Sequence, residues 1–516
     1  MKPLSSPESI LISMALLGAI SLFLYIYKLL ICQPKLLRSQ LHNQGIKGPP
    51  PSLLHGNTHQ IQKIKANSIT TNDQSQHIIS HDYFSKIFPY FQLWMDQYGP
   101  TFMYSTGTIQ HLYVSDPLMV KEICQNTSMD LGRPIYLQEE HGPLLGESIF
   151  ATNGSLWSHQ RKVIAPQFLM EKVKGMVGLM VDSAMVLVNS WENQIESEGG
   201  VGDISVGEDL RRFSSDVISK ACFGSTYSKG EAIFQKLTSL QKLLSNQGLF
   251  VEHPYLRYFP TKKNRQLRKL EKEVGILILK MVKERKESKP KNDLLQMILE
   301  GAQNEEVKLH SVERFIIDNC KNIYFAGQEN TATSASWILF LLATNQEWQT
   351  RVRDEVLEIC GDSLPDFNML RKMKLLTMVI QEALRLYPPA PFVAREVFQS
   401  TKFGDLYIPK GINIWFPVLV LHQDTEIWGP DASEFNPERF SRGIGKACKI
   451  HQVYLPFGTG TRTCAGQNFA MVELKIIISI ILSKFCFTLS PTYKHSPVSS
   501  LVIEPKDGVG LVVKKL

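Results

Sequence analysis

Apolar and polar positions divide the chain into a few long helical stretches and a few short strand-like ones. Residues 10–27 contain no charge and are dominated by Ile, Leu, Met, Ala and Phe. That run is just long enough to span a bilayer as a helix, which needs about 20 residues. Residues 170–285 are mostly helical in their apolar spacing, and 315–342 is long and apolar enough to cross a protein core as one helix. A further helical pattern follows Gly466, through Phe469, Ala470, Val472, Leu474, Ile476 and Ile477. Residues 101–104 and 111–114, separated by Gly107, read as strands, and 502–505 and 511–513 read as a strand pair around Lys506-Asp507-Gly508. Residues 57–81 are polar and irregular and read as a surface loop; 283–293, charged and containing a proline, read as an exposed connection. The pattern predicts a mainly α protein with small β-sheets.

Charge refines this picture at the N-terminus. Glu8 precedes the apolar run, and Lys28, Lys35, Arg38 and Lys47 follow it. The positive-inside bias puts the C-terminal side in the cytoplasm. A cleaved signal would instead want a basic front and a small-residue cleavage site. Gly48-Pro49-Pro50-Pro51 makes a stiff segment with few hydrogen-bond donors. The expected organisation is a transmembrane anchor over 1–35, a Pro-rich hinge over 36–52 and one catalytic domain over 53–516, since no Gly/Ser linker or internal repeat interrupts the last. A net charge of +7 in 516 residues suits a surface meeting anionic lipid or an acidic protein, and no Lys/Arg cluster with interleaved aromatics argues for nucleic acid.

Eight cysteines contain no Cys-x-x-Cys pair, which argues against zinc and for reduced thiols facing the cytosol. His55/His59 and His77/His81 have the spacing of a helical zinc pair, but neither has a glutamate after its first histidine. The sequons at Asn126 and Asn153 should stay unmodified on a cytosolic domain. There is no Gly-x-Ser-x-Gly and no nucleotide-binding glycine loop.

The chemistry concentrates at Phe457-Gly458-Thr459-Gly460-Thr461-Arg462-Thr463-Cys464-Ala465-Gly466. Glycines allow tight turns and close approach to a flat partner. A helix starting near Gly466 would point its positive end at Cys464 and favour the thiolate. Arg462 can pair with an acid on whatever that thiolate binds. A cysteine in a Gly-rich turn is by itself an ordinary buried thiol; the combination suits an axial ligand of haem iron.

This stretch resembles the haem-binding signature of cytochrome P450 monooxygenases, with Phe457, Gly460, Arg462, Cys464 and Gly466 in its fixed places. Further motifs resemble that family in the expected order. Trp157 and Arg161, four apart on a predicted helix, resemble its Trp-x-x-x-Arg pair and would donate to a haem propionate, as would Arg395. Ala326-Gly327-Gln328-Glu329-Asn330-Thr331 resembles the oxygen-binding segment, where small residues make room for O2 and an acid–alcohol pair relays protons. Asn330 stands where the alcohol belongs. Thr331, one place later, points about 100° away on a helix. Either Asn330 positions a relaying water, the substrate supplies a hydroxyl, or oxygen activation is lost; the first reading is preferred because the other motifs are intact. Glu382, Arg385 and Arg439 resemble the family's structural triad.

The resemblance implies a P450 fold with an N-terminal transmembrane helix and a haem b held by Cys464. It implies O2 and NADPH as co-substrates by way of a flavoprotein reductase, for which Arg442, Lys446 and Lys449 offer a basic docking face. It also implies a single-pass protein of the endoplasmic reticulum membrane with a cytosolic catalytic domain. Glu329, Asn330 and Thr331 are the catalytic candidates. Leu144, Leu145, Ile149, Phe325, Ala326, Ala390, Phe392, Val393 and Leu501 are the substrate-contact candidates.

Residues 258–265 and 493–497 resemble a large plant clan of the family that often oxidises terpenoids and hormones, and 101–107, 111–114 and 502–516 resemble most closely a group within it whose members oxidise gibberellin-type diterpenoids or methyl groups of pentacyclic triterpenoids; the latter is the leaning here. A haem-thiolate isomerase or dehydratase, and a non-catalytic binder of sterol-like ligands, are the readings of other classes that the sequence leaves open.

Overall fold

The long apolar stretch is one helix, Val312–Thr344, that runs through the centre of the molecule with most of its residues buried. The structure, a computed structural model, describes residues 7–71, 79–245, 259–287, 292–303 and 311–516. Val206–Phe223, Lys374–Leu386, Gln467–Lys484 and Lys262–Lys286 all pack against this core helix. Gln467–Lys484 is apolar all round because it, too, is buried on every side.

A five-stranded sheet stands at one side, in the order Thr101–Thr106, Ile109–Val114, Asn413–Pro417, Phe392–Val397, Leu131–Gly132. Ile109–Val114 and Asn413–Pro417 pair in parallel; the other pairs are antiparallel. This sheet carries Val393 and Arg395 toward the cysteine loop. The architecture is mainly helical with small sheets, as the pattern predicts.

Several segments depart from expectation. Thr58–Thr71 is a helix, not a loop: Ile61 and Ile64, three apart, give it an apolar edge that its polar composition masks. His77 lies outside the described residues. The C-terminal strands do not pair with each other. Ile503–Pro505 pairs with Pro497–Ser499, whereas Gly510–Lys515 is shared between Phe485–Leu489 and Val201–Ser205. At 283–293 the helix continues to Lys286, and Arg285 is buried with both Nη1 contacts to Asp293 at 2.8 and 2.7 Å. The charged stretch therefore contains an interior ion pair as well as a solvated face.

The expected hinge is also not free. The apolar helix Pro7–Tyr27 continues through a π-turn at Lys28–Cys32 into Gln33–His42. Arg38 donates to the carbonyls of Gly48 and Pro49 at 3.2 and 2.8 Å, and Met103 N–H donates to Lys47 O at 2.9 Å. A Cβ on Gly48 would stand 1.8 Å from Met103 O, so the proline segment is docked against the sheet.

Gly327 has a different purpose from the one its motif suggests. Its missing side chain faces the Val206–Phe223 helix, where a Cβ would lie 2.6 Å from Ile218 Cγ1. It sets a close helix–helix approach. Gly327→Ala gains about 1 kcal/mol of helix propensity but meets a stiff β-branched neighbour, and overpacking of this kind costs about 1–3 kcal/mol. We expect a net loss of stability in chemical denaturation, relieved when Ile218→Ala is added.

Candidate active site

The cysteine loop is closed by a backbone bond from Cys464 N–H to Phe457 O, 2.8 Å, with the Phe457 ring packed on the core. Gly458 and Gly460 have φ of +67° and +69°, and a Cβ at Gly460 would stand 2.6 Å from Cys124 O. No other residue fits there without strain. The following helix starts at Gln467, and the Gly466 N–H points at the Cys464 sulfur. Cys464 is accessible on one side while protein encloses the rest. That desolvation pushes the thiol up, and the Gly466 N–H, Arg161 and Arg133 pull it back toward the thiolate.

Four arginines from separate elements gather beside this thiol. Arg462 donates to Thr152 O at 2.8 Å and to Asn153 Oδ1 at 2.7 Å, and lies 4.2 Å above the Trp157 ring. Arg161, on the same Gly154–Ile164 helix as Trp157, donates to Thr463 O at 2.8 Å. Arg395 comes from the sheet strand Phe392–Val397. Arg133 is fixed through its backbone, which exchanges two bonds with the Asn153 side chain at 2.7 and 2.9 Å, and its buried Nε has no partner. Asn153 is thus fully engaged, which removes its sequon from consideration.

Burial lowers the basicity of all four arginines, and repulsion from neighbouring arginines adds to it at Arg133 and at Arg462, which is pushed down to about 9. Among the described residues none of the four has a carboxylate partner. Half-buried like charges of this kind require an anion. The donor set fits a haem: Cys464 would hold the iron, and the four arginines with Trp157 would meet its two propionates.

In the middle of the core helix, Asn330 Nδ2 donates to Ala326 O at 3.1 Å, and its Oδ1 is not used by that bond. Thr331 turns away and is buried. Glu329 is buried too, its Oε2 accepting from Arg211 Nε at 3.2 Å. Arg211 also pairs with Glu504 at 2.9 Å. Burial pushes the Glu329 carboxyl up and Arg211 draws it back. Glu329, Arg211 and Glu504 border a polar cavity of 860 Å³ that Gln241, Thr333, Ser336 and Ser500 also line, whereas Asn330 and Thr331 do not reach it.

The other candidates divide by face. Leu144 and Leu145, on Gly142–Leu145, are buried against the core helix, and Ile149 N–H donates to Asn319 Oδ1 at 3.1 Å. Val393 shares a strand face with Arg395, whereas Phe392 alternates to the other side, its ring 5.0–5.4 Å from those of Phe88, Phe91 and Trp415. Ala390 is exposed; Leu501 is half-buried against the core.

The triad residues sit beneath the cysteine loop. Arg385 grips Glu382 in a fork, both bonds 2.7 Å and both residues fully buried, and donates on to the carbonyls of His422, Ala432 and Glu434. Arg439 reaches Glu382 only at 3.4 Å and is held mainly by Asp431 and Trp428 O, while Asn436 N–H makes the stronger contact with Glu382 at 2.8 Å.

His422 ties this cluster to the loop: its Nδ1 donates to Arg385 O at 3.0 Å and its Nε2 accepts from Leu455 N–H at 2.8 Å. Protonating Nε2 would break the second bond, and burial holds the imidazole down to about 3 from the ordinary 6.5. A depressed folded value means the contribution is complete above pH 6.5 and is lost as pH falls toward 3. The loss is about 1.4 kcal/mol per unit in that window. His422→Asn should flatten the acid limb of the unfolding free energy between pH 6.5 and 5; an unchanged slope would contradict this reading.

Sequence reasoning did not find Arg133, Arg211 or Glu504. Arg133 in a loop, Arg211 in an amphipathic helix and Glu504 in a short strand carry no local pattern.

Comparison with known proteins gives a consistent result. The family model described as Cytochrome P450 matches residues 76–510. The chain is 49% identical to Cytochrome P450 714C2 of Oryza sativa subsp. japonica, with all of both chains covered. It is 46% identical to Cytochrome P450 714A2 of Arabidopsis thaliana, covering 96% of each, and 46% identical to Cytochrome P450 714B3 of Zea mays, covering 98% of this chain and 96% of that one.

Proposed function

The chain belongs to the cytochrome P450 family, as a plant haem-thiolate monooxygenase, and from that premise we propose that it oxidises a methyl group of a rigid polycyclic terpenoid, a pentacyclic triterpenoid before a gibberellin- or ent-kaurane-type diterpenoid. When bound, the haem supplies the oxidising chemistry, in which one atom of O2 enters a C–H bond and the other becomes water, with two NADPH-derived electrons arriving through a reductase. The residues of the chain position substrate, exclude water and manage protons.

What supports the substrate class is residue type: the substrate-contact candidates Leu144, Leu145, Ile149, Val393 and Leu501 are all apolar, as a hydrocarbon skeleton wants, and the leaning to the larger ring system rests on the resemblance to the plant group. Asn330 Oδ1, not used in the bond to Ala326, can accept from a water or a substrate hydroxyl. We place the protein in the endoplasmic reticulum membrane, anchored by the Pro7–Tyr27 helix. Its reductase would dock on exposed Arg442, Lys446 and Lys449.

The test is co-expression with a plant reductase, feeding separate triterpenoid and diterpenoid pools, and mass analysis for a gain of one oxygen. We expect the product in the triterpenoid pool. A product only from diterpenoids would move the assignment to that class, and none from either would sink it.

A further inference from the structure

Away from the cysteine loop, a small pocket of about 210 Å³ opens where the N-terminal helix meets the five-stranded sheet. Leu29 and Leu37 line it from the helical side, and Ile109 and Ile135 from the globular side. Leu29 and Ile135 are exposed and form its rim. Glu396 and Asn413 line it from the sheet. These two stand directly opposite each other on antiparallel strands, so their side chains share one sheet face. Arg395 alternates to the other face, toward the cysteine loop. The sheet therefore separates this pocket from the haem site.

The polar groups in the pocket are short of donors. Asn413 is buried, yet its Oδ1 has no hydrogen-bond partner. Glu396 accepts from Ile135 N–H on Oε2 at 2.7 Å; among the described residues nothing donates to its Oε1 and no cation acts on it. Gln110, which also lines the pocket, donates its amide to Thr108 O at 3.1 Å instead. A buried acceptor left unmet is costly, so the pocket calls for a donor from outside.

Its position says where that donor comes from. The apolar helix Pro7–Tyr27 has 21 residues. At 1.5 Å per residue it is about 31 Å long, matching a hydrocarbon layer of about 30 Å. Leu29 follows two residues later, at the boundary between acyl chains and headgroups. A sterol keeps its lone hydroxyl at that level, with its rigid rings among the chains. Phospholipid heads fit poorly. A phosphate brings only acceptors and negative charge to Asn413 and Glu396, and an ammonium is repelled by Lys28 and Lys35 on the same helical segment.

We infer that this pocket binds a membrane sterol, whose hydroxyl donates to Asn413 Oδ1 while its rings lie along Leu29 and Leu37. The inference rests on the membrane-anchored reading of the N-terminal helix. Burial pushes the Glu396 carboxyl up, which favours a neutral hydroxyl as its neighbour. A sterol held there touches both the helix that leaves the bilayer and the sheet, and so makes the contact between them dependent on lipid composition.

The experiment uses full-length, haem-loaded protein in phosphatidylcholine vesicles carrying a photoreactive sterol with a free hydroxyl. Peptide mass mapping should place the crosslink on residues 29–37 or 109–110. In wild type, unlabelled sitosterol should compete about ten times more effectively than its methyl ether, which cannot donate. That difference should vanish in Asn413→Leu. Leu37→Trp, which fills the pocket, should cut the crosslink yield about tenfold. The Soret band of the resting enzyme should not move as sterol is added.

Equal competition by sitosterol and its ether overturns the proposal, as does a crosslink mapped elsewhere. A Soret shift that titrates with the crosslink would put the sterol at the haem and overturn it too. A pentacyclic triterpenol that competes where sitosterol does not would overturn the choice of sterol. If Asn413→Leu does not take up haem, the wild-type comparison and Leu37→Trp decide, since Leu37 lies on the outer helix. Failure of wild type to float with sterol-free vesicles would remove the anchor and the proposal with it; flotation without a sterol crosslink removes the proposal alone.

Discussion

Cys464→Ala should abolish the Soret band that reports thiolate-ligated haem in the reduced, carbon-monoxide-treated protein, and monooxygenation should vanish with it. The physical reason is that the sulfur is the one soft anionic donor in the site, and its electron donation promotes O–O cleavage. The loop itself should survive. Its closing bond runs from the Cys464 backbone to Phe457 O, and its turns depend on glycines at 458 and 460, none of which the substitution touches. The apoprotein should therefore keep its stability within about 0.5 kcal/mol, as surface-like substitutions do. Spectra and denaturation curves on the same preparation check both halves. A retained thiolate band in Cys464→Ala would refute the ligand assignment outright.

Arg385→Ala should do the reverse and cost the fold before the chemistry. Removing the guanidinium leaves Glu382 charged and buried, and strips donors from the carbonyls of His422, Ala432 and Glu434. Breaking a buried pair by deleting one partner costs about 3–5 kcal/mol. Against a total stability of about 5–15 kcal/mol, that leaves little margin. The expected result is protein with Cys464 present but haem content and thermal midpoint both sharply reduced. Arg385→Lys should not rescue it, because an ammonium cannot reproduce the planar fork. Wild-type haem loading in Arg385→Ala would show that the cluster does not support the loop.

These two outcomes also mark what could be read from the chain alone. The core helix, the helix after Gly466 and the strands at 101–114 were legible because period and length leave few alternatives. The haem-binding set was legible because Cys464, Arg462 and the glycines lie within ten residues. Arg133 was not, since it joins the cluster only through the fold, by way of Asn153. The helix at Thr58–Thr71 was hidden by its polar composition. The strand pairing of the C-terminus failed because Gly510–Lys515 finds its partners at 201–205 and 485–489, far away in sequence. Gly327 was given a role in making room for O2, whereas its neighbour is Ile218. A motif fixes residue types, but the direction each side chain takes depends on what packs behind it.

The docked collar at the N-terminus has a mechanical consequence. Leu41 is buried, Arg38 is clasped to Gly48 and Pro49, and Gln44 exchanges two bonds with the Tyr407 backbone at 2.8 and 2.7 Å. A tether gripped at three points transmits torque. With the Pro7–Tyr27 helix in a bilayer, such a mooring would limit how far the globular part can roll over the membrane surface, and would hold one face of it toward the lipid.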